Sequence, residues 1–426
     1  MSKHEVSRRE VMKAAIATAA LAGAAATPAV HAAGSEKIRV GLIGAGRRGV
    51  GAAQDCVNST GNVELTAIGD LFPDKMKEAV GTIKEKLGDK WKVTDERTFI
   101  GFDAYQKVIA SDVDVVLLCA PPGFRPAHLK AAVEAGKHVF MEKPVAVDPV
   151  GVRSVMATSD VAAKKNLSLV AGTQRRHQNN YVQAMKRLQD GAIGKIRAAQ
   201  GYWLGDYSYY MPVVKKPEWS DVEWQIRNWN YFAWLSGDII VEQHVHNLDV
   251  LRWAIGANPV RCIGNGSRQV RTGPEFGHIY DNFSVSYEFP NGVNALSMCR
   301  QMKGTSHRVS ERVIGADGSL YTDGGGNATI DGKNAWKYDG PAVNPYVQEH
   351  TDLIDAIRSG KQINEGRQVA ESTLMAIMGR ISAYTGREIS WDWAMSGSNL
   401  DLSPKRMEFG ALPVAEVAVP GETKLI

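Results

Sequence analysis

An apolar run, IRVGLIG (38–44), passes directly into Gly44-Ala45-Gly46-Arg47-Arg48-Gly49. A helical pattern follows, and a second apolar run, VELTAIG, ends at Asp70. No other feature of the chain narrows the choice of fold as much. A strand, a G-x-G-x-x-G turn, a helix and a second strand closed by an acid 21 residues after the last glycine make the first unit of a dinucleotide-binding sheet. Gly44 allows the tight turn, Gly46 lets the main chain approach a pyrophosphate, and Gly49 lets the helix lie against the strand. The helix N-terminus adds unpaired N–H groups and a positive dipole end. Asp70 can accept ribose hydroxyls, and its charge favours NAD over NADP, whose 2′-phosphate it would meet. Arg47 and Arg48 are either phosphate ligands or solvated residues of a helix start.

The alternation continues. PDKMKEAVGTIKEKLG (73–88) reads as a helix opened by proline. DVDVVLLCAPP (112–122) reads as a buried strand, FRPAHLKAAVEAG (124–136) as a helix stopped by Gly136, and HVFMEKP (138–144) as another strand. A helix over 149–164 and a last strand, LSLVAG (167–172), complete the pattern. Strands alternating with helices predict a doubly wound parallel sheet, with its ligand outside the carboxyl ends of the strands. Gly44, Asp70, Pro121 and Lys143 all fall at such ends. In Glu142-Lys143-Pro144 the proline restricts Lys143 to an extended backbone and so presents its ammonium at the crevice.

From about 195 to 330 strands recur without long helices between them: KIRAAQGYWLG, VRCIGNGS, NFSVSYEF, VNALSMCR and ERVIGADGSL. This predicts an α+β domain with an open, largely antiparallel sheet. Two later helices, 346–359 and 365–385, pack back on the body. The domain division expected is 35–172 for the dinucleotide-binding domain, 173–390 for the second domain, and 391–426 for a tail. Within the second domain, GDIIVEQHVHNLDVLRWAIG (237–256) reads as one mostly buried helix. On it Glu242 and His246, four apart, share a face, and Asp249 lies beside His246. A carboxylate and an imidazole on one buried face can relay a proton. His244 falls far round the helix from His246, so a shared metal site is not expected unless the segment is a strand. Arg176 either lines the pocket or forms an interdomain ion pair.

The stretch 202–235 holds five of the ten tryptophans, Trp229 among them. Aromatic faces stack on the apolar faces of sugar rings, so a carbohydrate substrate is expected; the alternative is that the tryptophans cement two domains.

The glycine turn, the Pro121–Pro122 turn, AAVEAGKHVFMEKP and AGTQRRH (171–177) together resemble the glucose–fructose oxidoreductase/inositol dehydrogenase (Gfo/Idh/MocA) family. The resemblance covers most of residues 37–390 and is strongest in the first half. It implies a two-domain NAD-dependent oxidoreductase acting on CH–OH groups, often oligomeric. Glu142 and Lys143 then lie at the nicotinamide, and His246 takes the place of the family's general base. Glu242 stands where the family carries Asp, and Gln174 where it often carries Asn. Some relatives cleave glycosides by transient oxidation and elimination. The Tyr-Pro-Thr-His segment of the NAD-dependent N-acetylgalactosaminidases is absent here, so that activity is the second reading, and a non-catalytic sugar-binding relative the third.

The 426-residue chain has a net charge of +4, and residues 1–33 carry two of those four charges. The remainder gives no sign of a nucleic-acid partner, and no later apolar run is long enough to span a membrane. Residues 1–33 carry a twin-arginine pair (Arg8, Arg9), a short Ala-rich apolar run and a Val30-His31-Ala32 cleavage site, the parts of an export signal in order. This predicts a periplasmic or exported protein that crosses by the twin-arginine machinery already folded. Free NAD is scarce there, so the cofactor is expected to be held tightly. Cys56, Cys119, Cys262 and Cys299 form no C-x-x-C pair; free buried thiols or a Cys262–Cys299 bridge fit the pattern.

Overall fold

The computed structural model describes residues 37–205 and 210–426. The export-signal reading of residues 1–33 lies outside the described residues, as do Tyr207 and Tyr209 of the aromatic stretch.

Six strands form the first sheet: β1 (Ile38–Ile43), β2 (Val63–Asp70), β3 (Thr98–Ile100), β4 (Val115–Leu118), β5 (His138–Met141) and β6 (Leu169–Ala171). Their order is β3-β2-β1-β4-β5-β6, and every neighbouring pair is parallel. Strands covered on both faces read as continuous apolar runs, which is why β1 and β2 were plain in the sequence. β3 is three residues long, too short to show a period. The expected strand over 112–122 contracts to four residues, and Asp114, just before it, accepts from Arg39 Nε at 3.0 Å. Strand order reverses between β1 and β4, which opens a crevice at their carboxyl ends.

Nine strands form the second sheet: β7 (Ile196–Gly205), β8 (Arg261–Ser267), β9 (Asn282–Glu288), β10 (Asn294–Gln301), β11 (Arg308–Gly315), β12 (Gly318–Asp323), β13 (Ala328–Gly332), β14 (Trp336–Lys337) and β15 (Ile389–Ser390). The order is β14-β13-β12-β11-β7-β10-β9-β8-β15. All pairs are antiparallel except β7 with β10. ERVIGADGSL, read as one strand, is a hairpin. The chain reverses at Ala316–Asp317, whose N–H groups donate to Lys195 O at 3.0 Å and Ile193 O at 2.9 Å.

The helix Gly366–Thr385 joins the two sheets. It packs against the helix Pro149–Lys164 on one side and against β8 on the other. Gly379 makes the close approach possible, since a Cβ there would lie 2.4 Å from the Tyr287 hydroxyl. One hydrophobic cluster accordingly runs from Ile43 and Leu118 to Val285 and Tyr287. A second lies under the other face of β1 and β2, and includes Leu353, Ile354 and Ile357 of the helix Pro345–Ser359. That helix, placed by sequence in the second domain, covers the first sheet instead. The tail beyond Ser390 forms one short helical turn (Trp393–Gly397) and then no helix or strand, but it is tied to both halves. Among the described residues all four cysteines are free, so Cys262 and Cys299 are not bridged, and no helix is long and apolar enough to cross a membrane.

Burial leaves a signature in the histidines. Burial lowers His128 and His244 to about 3 and His278 to about 4, from an ordinary 6.5. The folded chain then binds fewer protons at these sites than the unfolded chain, so their contribution to stability is lost as pH falls below 6.5. His177 works the other way. Burial lowers it, but the hydrogen bonds that Asp352 and Glu365 accept from the ring outweigh this and raise it to about 10. Each of the three lowered histidines therefore contributes a fall in the unfolding free energy between pH 7 and pH 4.5. His128 stacks on Tyr105 at 4.2 Å. His128→Phe, which keeps the stack and removes the titration, is expected to narrow that fall in denaturant unfolding; an equal fall in the variant would contradict the assignment.

Candidate active site

The three glycines of the turn differ in what surrounds them. Gly44 has φ +93° and a Cβ there would lie 2.4 Å from Ala120 N, so it allows β1 and β4 to end side by side. A Cβ on Gly49 would lie 1.9 Å from Gly44 O, so only glycine lets the helix Arg47–Ser59 start this close to the strand. A Cβ on Gly46 would meet nothing within 4 Å. That glycine faces open space in a cleft of about 1940 Å³, larger than the ~300–1,000 Å³ of a single small-ligand site. The turn, the free helix N-terminus and the open face of Gly46 fit a dinucleotide phosphate. Asp70 closes β2 and lines the same cleft. Its Oδ2 accepts from Ala45 N at 2.7 Å and its Oδ1 from Phe72 N at 2.9 Å. Burial raises its pKa and these N–H groups counter the rise. Each oxygen keeps a lone pair for a ribose hydroxyl.

The two arginines of the turn part company. Arg47 is exposed on the cleft. Arg48 bends inward onto Glu142 and Glu349 and lies over the Tyr346 ring at 5.1 Å. It is neither a solvated helix-start residue nor free to wrap a phosphate, because carboxylates occupy its guanidinium. Glu142 and Pro121 line the cleft as expected. Arg125, which sequence reasoning passed over, holds this region. Its buried guanidinium donates to Leu118 O at 3.0 Å, Ala120 O at 2.6 Å and Pro144 O at 3.2 Å, and so fixes the β4 end against the segment that carries Lys143.

Lys143 follows β5 and reaches across to the second half of the chain. Its Nζ donates to the Glu242 main-chain oxygen at 2.6 Å and lies 3.2 Å from Glu242 Oε1. The expected single helix over 237–256 is broken. Ile239–Glu242 is one turn, Gln243 and His244 interrupt it, and Val245–Ile255 follows. At the break the His244 ring turns into the sheet, Nε2 lying 2.7 Å from Ser297 Oγ and Nδ1 3.2 Å from Asn247 Oδ1. Glu242 and His246 nevertheless face one space. They do not form the expected relay pair. Glu242 is engaged by Lys143 and by the side-chain amide of Gln243, and no described residue hydrogen-bonds the His246 ring.

His246 stacks on Trp203 of β7, ring centroids 5.8 Å apart. Burial, then the positive charges of Lys143 and Arg175, hold its pKa well below 6.5. The imidazole is therefore neutral, with a nitrogen lone pair available to the cleft. His244 and His246 turn to different neighbours, and among the described residues no group of three or more His, Cys, Asp or Glu is arranged to hold a metal ion.

Two expected substrate contacts are placed elsewhere. Arg176 does not line the cleft. It forms a two-pronged pair with Asp249, Nε to Oδ2 at 2.8 Å and Nη2 to Oδ1 at 2.9 Å, with Ser372 Oγ donating to Oδ1 at 2.7 Å. Asp249 is thus consumed in a buried pair one helical turn from the cleft. The neighbouring Arg175 faces the cleft instead, backed by Glu311, because the 3-10 turn Gln174–His177 sends consecutive side chains to different sides. Trp229 does line the cleft, edge-on to Tyr210 at 4.8 Å. Trp203, Arg175 and Gln243 were missed. For Trp203 a signal existed in the alternation of β7; for the other two only the local turn decides.

Comparison with known proteins follows the same division of the chain. Residues 38–173 match the model of an oxidoreductase family with an NAD-binding Rossmann fold, GFO/IDH/MocA, and residues 181–321 match the GFO/IDH/MocA C-terminal domain. The inositol 2-dehydrogenase of Rhizobium meliloti is 24% identical over 76% of this chain and 90% of its own length. The scyllo-inositol 2-dehydrogenase (NAD(+)) of Bacillus subtilis is 22% identical over 67% of this chain and 73% of its own. The crystal structure of an aldose-aldose oxidoreductase from Caulobacter crescentus has the same fold, with a TM-score of 0.64 at 20% identity over 83% of this chain and 99% of that one.

Gly46→Ala is expected to leave the unfolding free energy within about 0.5 kcal/mol of wild type while weakening NAD binding, since its methyl enters only the cleft. Gly49→Ala is expected to cost about 1–3 kcal/mol by overpacking. Denaturant unfolding and NADH titration of both variants would check the contrast.

Proposed function

The chain belongs to the GFO/IDH/MocA oxidoreductase family, and from that premise we propose that it oxidises a ring hydroxyl of a sugar or cyclic polyol with tightly held NAD. The observation that carries the reading is the meeting of Lys143, from the end of a parallel strand, with His246, from the second half of the chain, in the cleft that also contains the open glycine turn. Both side chains reach that cleft, which favours an enzyme over a sugar-binding relative. The inositol dehydrogenases among its relatives support a ring polyol or sugar as the substrate class.

In this reading Gly44, Gly46, Gly49 and the helix N-terminus behind them hold the pyrophosphate, and Asp70 holds the adenosine ribose. NAD held there would supply the hydride acceptor for the carbon that carries the hydroxyl. The neutral His246 imidazole accepts the hydroxyl proton. Lys143, held by Glu242, donates a hydrogen bond to the same oxygen and stabilises the charge that develops on it. Trp203 and Trp229 offer aromatic faces to the ring, and Arg175 a guanidinium to its hydroxyls. Glu242 aims Lys143 and does not assist the base directly. The twin-arginine pattern of residues 1–33 supports loading of the cofactor in the cytoplasm and export of the folded holoenzyme. A cofactor retained in this way would be returned to NAD by a second carbonyl substrate or within one redox-neutral cycle.

Denaturing the purified mature protein is expected to release close to one NAD(H) per chain and little NADP(H). Absence of dinucleotide would overturn the tight-binding reading. His246→Ala is expected to lower kcat by about 10²–10⁴-fold with the bound NAD unchanged. A variant that kept wild-type turnover would remove His246 from the mechanism.

A further inference from the structure

The tail beyond residue 390 has no part in the reading above, yet it is pinned on both sides of the cleft mouth. On one side Leu402 N donates to Asp148 Oδ2 at 2.9 Å. On the other the tail runs along the helix Asp221–Arg227. There Val222 N donates to Gly410 O at 3.2 Å, Leu412 N to Asp221 Oδ2 at 3.0 Å, and Gln225 Nε2 to Leu412 O at 2.6 Å. Residues 403–409 bridge the gap. Ser403 and Met407 line the cleft together with Asp70, Leu71, Phe72 and Phe102. Phe409 sits against both phenylalanines, 6.1 Å from the Phe72 ring and 5.0 Å from the Phe102 ring. Phe72 follows Asp70 at the β2 end, and Phe102 follows β3. Arg227 secures the same corner. It pairs with Asp74 at 2.9 and 3.0 Å and lies over the Phe72 ring at 3.9 Å.

Two large apolar side chains are thus held without being buried: Met407, on the cleft lining, stays 38% exposed, and Phe409, against the two phenylalanines, 46% exposed. The corner they rim lies beyond Asp70, on the side of β2 and β3 away from Lys143 and His246. If NAD binds as proposed, the adenosine lies there. A flat aromatic base against phenylalanine and a thioether buries apolar surface and makes ring contacts. We infer that residues 403–409 form the outer wall of the adenosine half of the dinucleotide site, Phe409 anchoring the strap and Met407 facing the base, and that this wall slows cofactor release. The inference rests on the NAD reading and adds to it the segment that retains the cofactor.

The full-length mature protein, freed of bound dinucleotide, is loaded with NADH. Excess NAD is then added, and the loss of bound-NADH fluorescence gives the dissociation rate. Phe409→Ala is compared with wild type and with Val417→Ala, an exposed tail residue that is outside the cleft lining and makes no ring contact with Phe72 or Phe102. Phe409→Ala is expected to release NADH about two- to tenfold faster and to weaken AMP by a similar factor. It should leave reduced nicotinamide mononucleotide binding unchanged, and Val417→Ala should behave as wild type. A wild-type release rate in Phe409→Ala would overturn the strap while leaving the cofactor reading intact. Equal weakening of AMP and the mononucleotide would also overturn it, because the effect would then be general loosening. A wild-type protein that bound neither NADH nor AMP would overturn the cofactor reading and the strap together.

Discussion

The cleft is assembled around one ion pair drawn out of water. Lys143 and Glu242 expose only 10% and 6% of their side chains, come from opposite halves of the chain, and meet through both a main-chain oxygen and a carboxylate oxygen. Two charges taken from water cost several kcal/mol each, and only close geometry with further hydrogen bonds offsets that cost. The pair therefore constrains its surroundings. The turn Ile239–Glu242 has to end where its last carbonyl faces the first sheet, and Lys143 has to leave β5 at a fixed angle. His246 is then placed beside a positive charge and deep enough to stay neutral.

The same logic recurs one layer out, with arginines. Arg125 gathers three main-chain oxygens around the ends of β4 and β5. Arg175 is held by Glu311, whose carboxylate also accepts from Tyr181, Asn247 and Thr322 at 3.0, 2.6 and 2.8 Å. Arg48 is held by Glu142 and Glu349. Each guanidinium presents several donors in a rigid plane, so one side chain can fix two or three segments at once. These guanidiniums are held from behind by carboxylates and main-chain oxygens, which leaves Lys143, His246 and the tryptophan faces turned toward the open space. A site whose members are held before the ligand arrives loses less in ordering them.

The first sheet could be read almost element by element. A parallel strand covered by helices is apolar along its length, and a glycine turn before a helix has few alternatives. The second sheet could be read as a class but not in register. ERVIGADGSL has no residue that demands a turn in isolation; it bends because Ala316 and Asp317 find partners on the loop before β7. The helix Pro345–Ser359 has an apolar stripe that would suit either sheet, and only packing assigns it to the first. Of the residues expected at the site, Lys143, His246, Asp70 and Trp229 do line the cleft, because strand ends and residue chemistry mark them. Arg176 and Asp249 were assigned to the pocket, because a pair of arginines on a short turn does not say which one faces inward.

Local covalent constraint is what a sequence carries by itself. The glycine turn, the acid after β2, the lysine locked ahead of proline and the alternation of strands with helices determined the parallel sheet and its ligand crevice. Distant partners decided the rest. The turn of the His244 ring into the sheet, the choice of Arg175 over Arg176, the recruitment of Glu242 by Lys143 and the crossing of the tail over the cleft each depend on a group more than fifty residues away. A hydrogen bond or an ion pair of that kind exists only once the chain has brought its two ends together. Its geometry therefore belongs to the tertiary structure, and it is there that a family fold became this particular site.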